Sequence, residues 1–139
     1  MSLSSINPHL GFKGDCAEAF AFYAELMGGE ITFMMTHGES PMKDQFPVEL
    51  HGQVMHATVR FGDFCLMGGD APPNMYKAPS GVSTNLQFSD VADSERVFKA
   101  LVHGGHEIVA FGETFWTKGF GMCVDRFGQH WMVNTGSLT

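Results

Sequence analysis

Residues 6–12 read Ile6-Asn7-Pro8-His9-Leu10-Gly11-Phe12, and residues 82–88 read Val82-Ser83-Thr84-Asn85-Leu86-Gln87-Phe88. The second stretch begins 76 positions after the first (82 against 6), and apolar residues open and close both stretches, with Leu at the same inner position. Each stretch has the composition of a β-strand, and each precedes a segment with helical periodicity. Two such segments at a fixed separation predict a chain built from two copies of one unit.

The first copy continues from residue 12 with a helix and three further strands. Asp15 and Glu18 have the spacing of a capping box, and apolar residues then recur at helical intervals until Gly28-Gly29. Alternating apolar residues predict strands at 30–37, 54–61 and 64–68, the last two joined by a hairpin at Gly62-Asp63. A long polar loop is predicted at residues 38–52.

The second copy repeats this order after a proline-containing linker. A helix is predicted at 93–103, ended by Gly104-Gly105, and strands are predicted at 107–111, 121–125 and 129–134. The tripeptide Arg60-Phe61-Gly62 recurs as Arg126-Phe127-Gly128. The sequence predicts an α+β fold of two tandem βαβββ modules, residues 6–70 and 82–135, within one domain spanning 1–139. The alternative is another α+β fold, such as a ferredoxin-like one, with chance similarity between its halves.

Composition narrows the possible partners. The 139 residues carry a net charge of −7, and the few Lys and Arg residues form no basic run. This charge repels a phosphate backbone, so we expect no nucleic-acid partner. No apolar stretch approaches membrane-spanning length, so we expect no membrane partner either. Three widely spaced cysteines without a secretion signal predict free thiols and a cytoplasmic protein.

Several stretches resemble those of the PhnB-like family, which is also described as demethylubiquinone methyltransferase-like. They are Met55-His56-Ala57-Thr58-Val59-Arg60, Leu66-Met67-Gly68-Gly69-Asp70-Ala71-Pro72-Pro73, Glu113-Thr114-Phe115-Trp116, Phe120-Gly121-Met122, Val124-Asp125-Arg126-Phe127-Gly128 and Trp131-Met132-Val133-Asn134. The family belongs to the vicinal oxygen chelate superfamily of glyoxalases, bleomycin-resistance proteins and extradiol dioxygenases. The resemblance implies two βαβββ modules in a cupped mixed sheet, a homodimer, and a small-molecule ligand inside the cup.

Enzymes of this superfamily hold a divalent metal with four side chains, one from the first and one from the last strand of each module. The repeat places these positions at Pro8, Thr84, Leu66 and Met132, or, one residue along, at His9 and Asn85 with Cys65 or Met67 and Trp131 or Val133. Neither set supplies the carboxylates and imidazoles that a hard divalent cation prefers. We therefore expect no metal and no other cofactor, which argues against glyoxalase and dioxygenase chemistry.

Methyl transfer, which the family's second description suggests, has its own sequence requirement. Nucleotide-type cofactors commonly sit on a glycine-rich turn between a parallel strand and a helix. Residues 11–15 occupy such a turn but lack the G-x-G-x-x-G spacing. The residues therefore disfavour a methyltransferase.

Four residues are candidates for ligand binding: His56, Glu113, Trp116 and Asp70. An imidazole at His56 titrates near neutral pH and would serve as a general base or a ligand contact, or alternatively as a buried structural histidine. Trp116 would wall the pocket and Glu113 would bind a polar ligand group, the alternative being a core tryptophan beside a solvated glutamate. Asp70 would either face the mouth of the cup or hold the linker.

Other polar residues are assigned structural roles. Asp125 is predicted to bond the backbone of its hairpin, and Trp131 is predicted to lie in the core. Cys16, beside a predicted helix N-terminus, is predicted to be a small structural residue rather than a nucleophile. His37, Glu39, Glu49 and His51 flank the long loop and are predicted to be solvated.

The sequence favours a metal-independent small-molecule-binding domain that forms a dimer. A lyase, isomerase or dioxygenase with a rearranged metal site including His56 or Glu113 is the alternative. A third possibility is a dimeric interaction or regulatory module. The residues leave open whether the chain is an enzyme.

Overall fold

The computed structural model describes residues 1–138 and forms two compact units, Met1–Lys77 and Ala78–Thr139. The first unit contains β1 (His9–Phe12), α1 (Cys16–Met27), β2 (Glu30–Thr36), β3 (Val54–Phe61) and β4 (Phe64–Asp70). The second contains β5 (Thr84–Phe88), α2 (Val91–Val102), β6 (His106–Gly112), β7 (Phe120–Val124) and β8 (His130–Thr135). The predicted α+β fold of two βαβββ modules is confirmed.

Each unit forms one mixed four-stranded sheet, and both sheets have the same topology. The strand orders are β1-β4-β3-β2 and β5-β8-β7-β6. In both, the first and last strands of the module pair in parallel, and the remaining neighbours pair antiparallel. Each sheet therefore has one face that packs on the helix of its own unit and a second face that carries the alternate side chains.

The core of the first unit lies between α1 and its sheet. Phe20 of α1 contacts the ring of Phe12 edge-on, and Val59 of β3 is fully buried with them. Gly68 of β4 faces this core, because a Cβ there would lie 2.7 Å from the Phe20 ring. Even-numbered residues of β1 and β4 thus point towards α1, and odd-numbered residues point to the other face.

The core of the second unit is built in the same way around α2. Phe98 of α2 packs against Phe111 of β6 and against the backbone of Gly121 in β7. Trp131 and Val133 of β8 are fully buried, as predicted for Trp131. Neither of the two helices within residues 1–138 has the length and apolar character needed to span a bilayer.

A predicted glycine pair follows each helix: Gly28 is the C-cap residue of α1, and Gly104 follows His103, the extended C-cap residue of α2. Gly28 and Gly104 have φ of 70° and 81°, a left-handed conformation that favours glycine at a helix end. The following glycine lies against backbone: a Cβ on Gly29 would lie 2.8 Å from the Arg60 carbonyl oxygen, and one on Gly105 would overlap the Val124 carbonyl oxygen. Each pair thus turns the chain after a helix and lets the next segment approach a strand.

The predicted capping box of Asp15 and Glu18 is wrong. Asp15 is the N-cap residue of α1, but its side chain makes no capping hydrogen bond. The Cys16 N–H instead donates to Oδ1 of Asp70, 54 positions away. A capping box does form elsewhere, between Thr36 and Glu39.

The segment between β2 and β3 is more ordered than the predicted polar loop. It contains three short 3-10 helices, His37–Glu39, Lys43–Gln45 and Val48–Leu50. The prediction that His37 is solvated is wrong, because its side chain packs on Phe46 with ring centroids 4.4 Å apart and only 6% of the residue is exposed. His51 also has a structural contact, since its Nε2 lies 2.9 Å from the Lys43 carbonyl oxygen.

The recurring Arg-Phe-Gly tripeptide occupies different structural positions in the two units. Arg60 and Phe61 end β3, and Gly62 belongs to a two-residue turn. Arg126-Phe127-Gly128 lies wholly in the longer turn between β7 and β8. The tripeptide therefore gives no evidence for internal duplication, which stays a prediction that the shared topology supports.

Candidate functional site

The face of the first sheet opposite α1 carries two histidines in a largely apolar setting. The rings of His9 (β1) and His56 (β3) stack with centroids 5.9 Å apart and planes inclined by 26°. Phe33 contacts the His56 ring at 6.0 Å, and Met35 is the cross-strand partner of His56. We call this surface the imidazole face and define it by His9, Phe33, Met35, His56 and Met67.

Electrostatics on the imidazole face favour the neutral form of His9. Burial lowers the pKa of His9, and repulsion from the imidazolium form of His56 lowers it further. A neutral imidazole has one donor and one acceptor nitrogen, so it can hydrogen-bond a ligand without carrying charge. The structure therefore places His56 on a half-exposed surface, beside a second histidine that the sequence reasoning did not pair with it.

Asp70 lies on the opposite side of this sheet, at the N-terminus of α1, and is 7% exposed. Its Oδ1 accepts hydrogen bonds from the N–H groups of Gly14 and Cys16, each at 3.0 Å, and its Oδ2 accepts one from Val54 N–H at 2.8 Å. Three backbone donors occupy both oxygens, so Asp70 joins α1 to β3 and β4. The prediction that Asp70 binds a ligand has no support in this geometry.

Trp116 borders a cavity in the second unit. The cavity has a volume of about 300 Å³ and is lined by Ser89, Val91, Trp116, Thr117, Lys118, Thr135 and Gly136. The indole is 53% exposed and meets the Phe120 ring edge-on at 5.3 Å. Trp116 is therefore a wall residue and not a core residue, and we call this space the Trp116 cavity.

The loop that carries Trp116 is held by two threonines. Thr114 Oγ1 accepts the N–H groups of Trp116 and Thr117, and Thr117 Oγ1 donates to the Thr135 carbonyl oxygen in β8. These bonds tie the wall of the cavity to the sheet. Glu113, in the same loop, is exposed and does not line the cavity, so the structure separates it from Trp116.

In this chain, the side chains at the superfamily's metal-binding positions are poor ligands for a divalent metal ion. Leu66 pairs with Val59 and faces α1, and Pro8 lies before the start of β1. The register expected for these two metal-binding positions is therefore wrong. The residues on the other face are His9 beside Met67 in the first unit, and Asn85 beside Met132 in the second. One imidazole, two thioethers and one amide do not match a hard divalent cation. Within residues 1–138, no three His, Cys, Asp or Glu side chains cluster as metal ligands.

The turn considered for a nucleotide-type cofactor is also occupied. At helix N-termini such cofactors bind through free backbone N–H groups and their positive potential. Here the N–H groups of Gly14 and Cys16 already donate to the carboxylate of Asp70. An anionic group would meet an acceptor in place of donors, so these residues do not fit a phosphate or carboxylate group.

Sequence reasoning missed most of the lining of the Trp116 cavity. Ser89 and Val91 follow β5, Thr135 ends β8, and Gly136 follows it. β5 and β8 are parallel neighbours, so their C-terminal ends meet at one edge of the sheet. The two predicted strands at 82–88 and 129–134, taken as a parallel pair, would have brought these residues together.

Comparisons with known proteins agree with this fold. A family model described as 3-demethylubiquinone-9 3-methyltransferase matches residues 4–134. Protein YjdN of Escherichia coli is 33% identical over 137 residues, with 93% of each chain covered. The crystal structure of protein PA1353 from Pseudomonas aeruginosa is 41% identical, covers 96% of this chain and 98% of its own, and superposes with a TM-score of 0.88.

A more distant structure extends the likeness in fold alone. The bleomycin-binding protein of Streptomyces verticillus, solved with copper(II)-bleomycin, is 17% identical and has a TM-score of 0.61. The match covers 99% of both chains. The resemblance to a glyoxalase and bleomycin-resistance type of fold is confirmed.

Proposed function

The chain belongs to the family described as 3-demethylubiquinone-9 3-methyltransferase, and on that premise we propose that it is a metal-independent small-molecule-binding domain. One observation carries the proposal: the Trp116 cavity, whose volume of about 300 Å³ lies at the lower end of the range for ligand pockets. Its aromatic wall, the amine of Lys118 and the hydroxyl of Ser89 combine apolar contact with a few polar groups.

We propose His56 as a ligand contact on a separate surface, the imidazole face of the first unit. The imidazole face offers half-exposed apolar side chains around two stacked imidazole rings, and burial favours the neutral form of His9. This combination suits hydrogen bonding to a ligand within an apolar surround. The proposal does not include Glu113, because it does not line the Trp116 cavity. It does not include Asp70 either, because backbone N–H groups occupy both of its carboxylate oxygens.

The proposed function includes neither metal-dependent chemistry nor methyl transfer. The side chains at the superfamily's metal positions are poor ligands for a hard cation, and Asp70 fills the turn at the start of α1. We further propose a homodimer in the cytoplasm. The dimer rests on the family resemblance, and three free cysteines support a reducing compartment.

Intrinsic fluorescence tests the binding proposal, because the chain has two tryptophans in contrasting environments. Trp131 is fully buried and Trp116 is half-exposed at the cavity. A fragment library is screened by thermal shift in buffer with and without EDTA, since a ligand of the folded state raises the melting temperature. We expect some compounds to quench Trp116 fluorescence and to raise the melting temperature equally with and without EDTA.

The Trp116→Phe variant should lose both the quenching and most of the thermal shift. Trp131 then remains as an internal control for the fold, and native mass spectrometry reads the oligomeric state. Hits that require a stoichiometric metal, or hits that are indifferent to Trp116→Phe, would contradict the proposal.

A further inference from the structure

Three exposed side chains of the Trp116 cavity keep their hydrogen-bonding capacity free for a ligand. Ser89, Trp116 and Lys118 line the cavity and are accessible from solvent. Within residues 1–138 their side chains form no hydrogen bond and no ion pair. The indole and ammonium groups can only donate, and the hydroxyl can donate as well as accept. These free side chains therefore fit a ligand that supplies hydrogen-bond acceptors.

The other polar groups of the lining are already bonded inside the second unit. Thr117 Oγ1 donates to the Thr135 carbonyl oxygen, and Thr135 Oγ1 donates to Ser94 Oγ at 2.7 Å. The Gly136 carbonyl oxygen accepts from Gln87 Nε2 at 2.8 Å. A ligand that brought donors to these oxygens would compete with bonds that hold the cavity together, whereas a ligand that brings acceptors would not.

Lys118 gives the cavity a positive charge that no carboxylate of the lining balances. It is the one charged residue among the lining residues that the structure describes. Asp90 lies between two lining residues in sequence, but its Oδ2 accepts the Asp93 N–H at 3.3 Å and it does not line the cavity. Glu113 is exposed in the same loop as Lys118 and does not line the cavity either. The ammonium group is therefore available to an anionic acceptor.

The backbone on both sides of Lys118 is held in place. Thr117 is tied to the end of β8 through its hydrogen bond to Thr135. The Gly119 N–H donates to Thr117 Oγ1 at 3.3 Å, and a Cβ on Gly119 would lie 2.6 Å from the Phe111 ring. The amine thus extends from a fixed point at the cavity, which reduces the entropy lost when a ligand binds.

The size and the aromatic wall of the cavity indicate the body of the ligand. The Trp116 indole is half-exposed and is supported from one side by the edge of the Phe120 ring. The volume of about 300 Å³ is about twice that of the roughly 150 Å³ cavity known to hold benzene. Two fused aromatic rings fit this space and offer a flat surface to the indole.

We propose that the Trp116 cavity binds a monocarboxylate whose body is a flat aromatic group of about two fused rings. The carboxylate pairs with Lys118 and accepts from Ser89, and the rings pack against the indole of Trp116. Phosphates and phosphonates are disfavoured, because a single lysine does not balance a dianion and the chain carries a net charge of −7. This inference rests on the proposed function and deepens it, because it assigns a ligand class to the same cavity.

The anion 2-naphthoate and its neutral amide, 2-naphthamide, form a matched pair of probes with the same rings. Each is titrated into the ¹⁵N-labelled protein at neutral pH while the indole N–H signals of Trp116 and Trp131 are followed by NMR. We expect saturable shifts of the Trp116 signal, no shift of the buried Trp131 signal, and about fivefold tighter binding of 2-naphthoate. Equal affinities for the two probes would overturn the proposal. The absence of a Trp116 shift up to the solubility limit of 2-naphthoate would also overturn it.

The Lys118→Met variant removes the charge at similar side-chain length, and Lys118→Arg retains it. Lys77→Met, at an exposed position of the first unit, is the control. Lys118→Met should bind 2-naphthoate about fivefold more weakly and 2-naphthamide with unchanged affinity, because an exposed ion pair contributes at most about that factor. Lys118→Arg and Lys77→Met should keep the preference for 2-naphthoate. Unchanged 2-naphthoate affinity in Lys118→Met, with an unchanged Trp131 signal as evidence of folding, refutes the proposal.

Thermal shifts with the same probes separate this inference from the proposed function. Equal stabilisation by both probes, lost with both in Trp116→Phe, would refute the carboxylate preference yet keep small-molecule binding at the Trp116 cavity. Library compounds that are indifferent to Trp116→Phe, together with naphthoate that leaves the Trp116 signal unshifted, would refute both.

Discussion

The indole nitrogen of Trp131 donates a 2.8 Å hydrogen bond to Oδ2 of Asp125, at the start of the turn between β7 and β8. Oδ1 of the same carboxylate accepts the N–H groups of Phe127 and Gln129, at 2.9 and 3.0 Å. Asp125 and Trp131 are both buried. One carboxylate thus shapes the turn and holds the largest core side chain of the second unit.

We expect Asp125→Ala to lower the free energy of unfolding by about 3 kcal/mol or more, because three buried donors lose their acceptor. Urea denaturation followed by circular dichroism measures this. Asp63→Ala is the matched control, since Asp63 is exposed in the turn of the other hairpin. Two variants of equal stability would show that the carboxylate does not hold the turn.

The glycine after the left-handed residue at each helix end gives a second prediction. A Cβ on Gly105 would overlap the Val124 carbonyl oxygen and would meet the backbone of Asp125 at 2.8 Å. Because backbone cannot rotate away as a side chain can, Gly105→Ala should destabilise the protein by about 3 kcal/mol. Thermal unfolding compares it with Gly112→Ala, where no atom lies within 4 Å. A melting temperature for Gly105→Ala as high as that of Gly112→Ala would contradict this packing.

Most of the fold was predictable because local signals mark it. Period-two strands, helical periodicity and the two Gly-Gly pairs give elements whose ends differ from the observed ones by up to three residues. The capping of α1 was not predictable in this way, because its acceptor is Asp70 and not the adjacent Asp15. Nothing local to residues 15–18 indicates that a carboxylate from β4 fills the helix end.

The candidate site was likewise predictable only in part. The sequence left Trp116 open as a wall residue or a core residue, and its exposure at the cavity favours the first. The contact between His9 and His56 was not predictable, because these residues lie in β1 and β3, and no local signal shows that the two strands share one face of a sheet.

Thiol labelling tests the burial of the cysteines. Burial raises the pKa of the Cys16 and Cys123 thiols to about 12, with nearby carboxylates adding to the shift, whereas Cys65 is half-exposed. Thiolates are the reactive species, so iodoacetamide at about pH 8 should modify Cys65 alone in the folded protein. Mass spectrometry should count one label before denaturation and three after it. Rapid labelling of Cys16 would revive a nucleophilic role for that residue.

The histidine pair predicts a loss of stability on acidification. The folded-state pKa of His9 lies below the reference value of 6.5, because of burial first and His56 second. Between these two values the unfolded chain binds more protons than the folded one, so the contribution of His9 is complete above pH 6.5 and declines as the pH falls. The free energy of unfolding should therefore drop from about pH 7 to about pH 5.5, and His9→Gln should reduce this drop.

The control His103→Gln, at an exposed helix end, should keep the wild-type slope. Asp15, whose pKa burial raises, acts in the opposite sense, but it is present in wild type and in both variants, so the difference between their slopes isolates His9. Identical slopes for His9→Gln and wild type would show that the imidazole face imposes no protonation cost on folding.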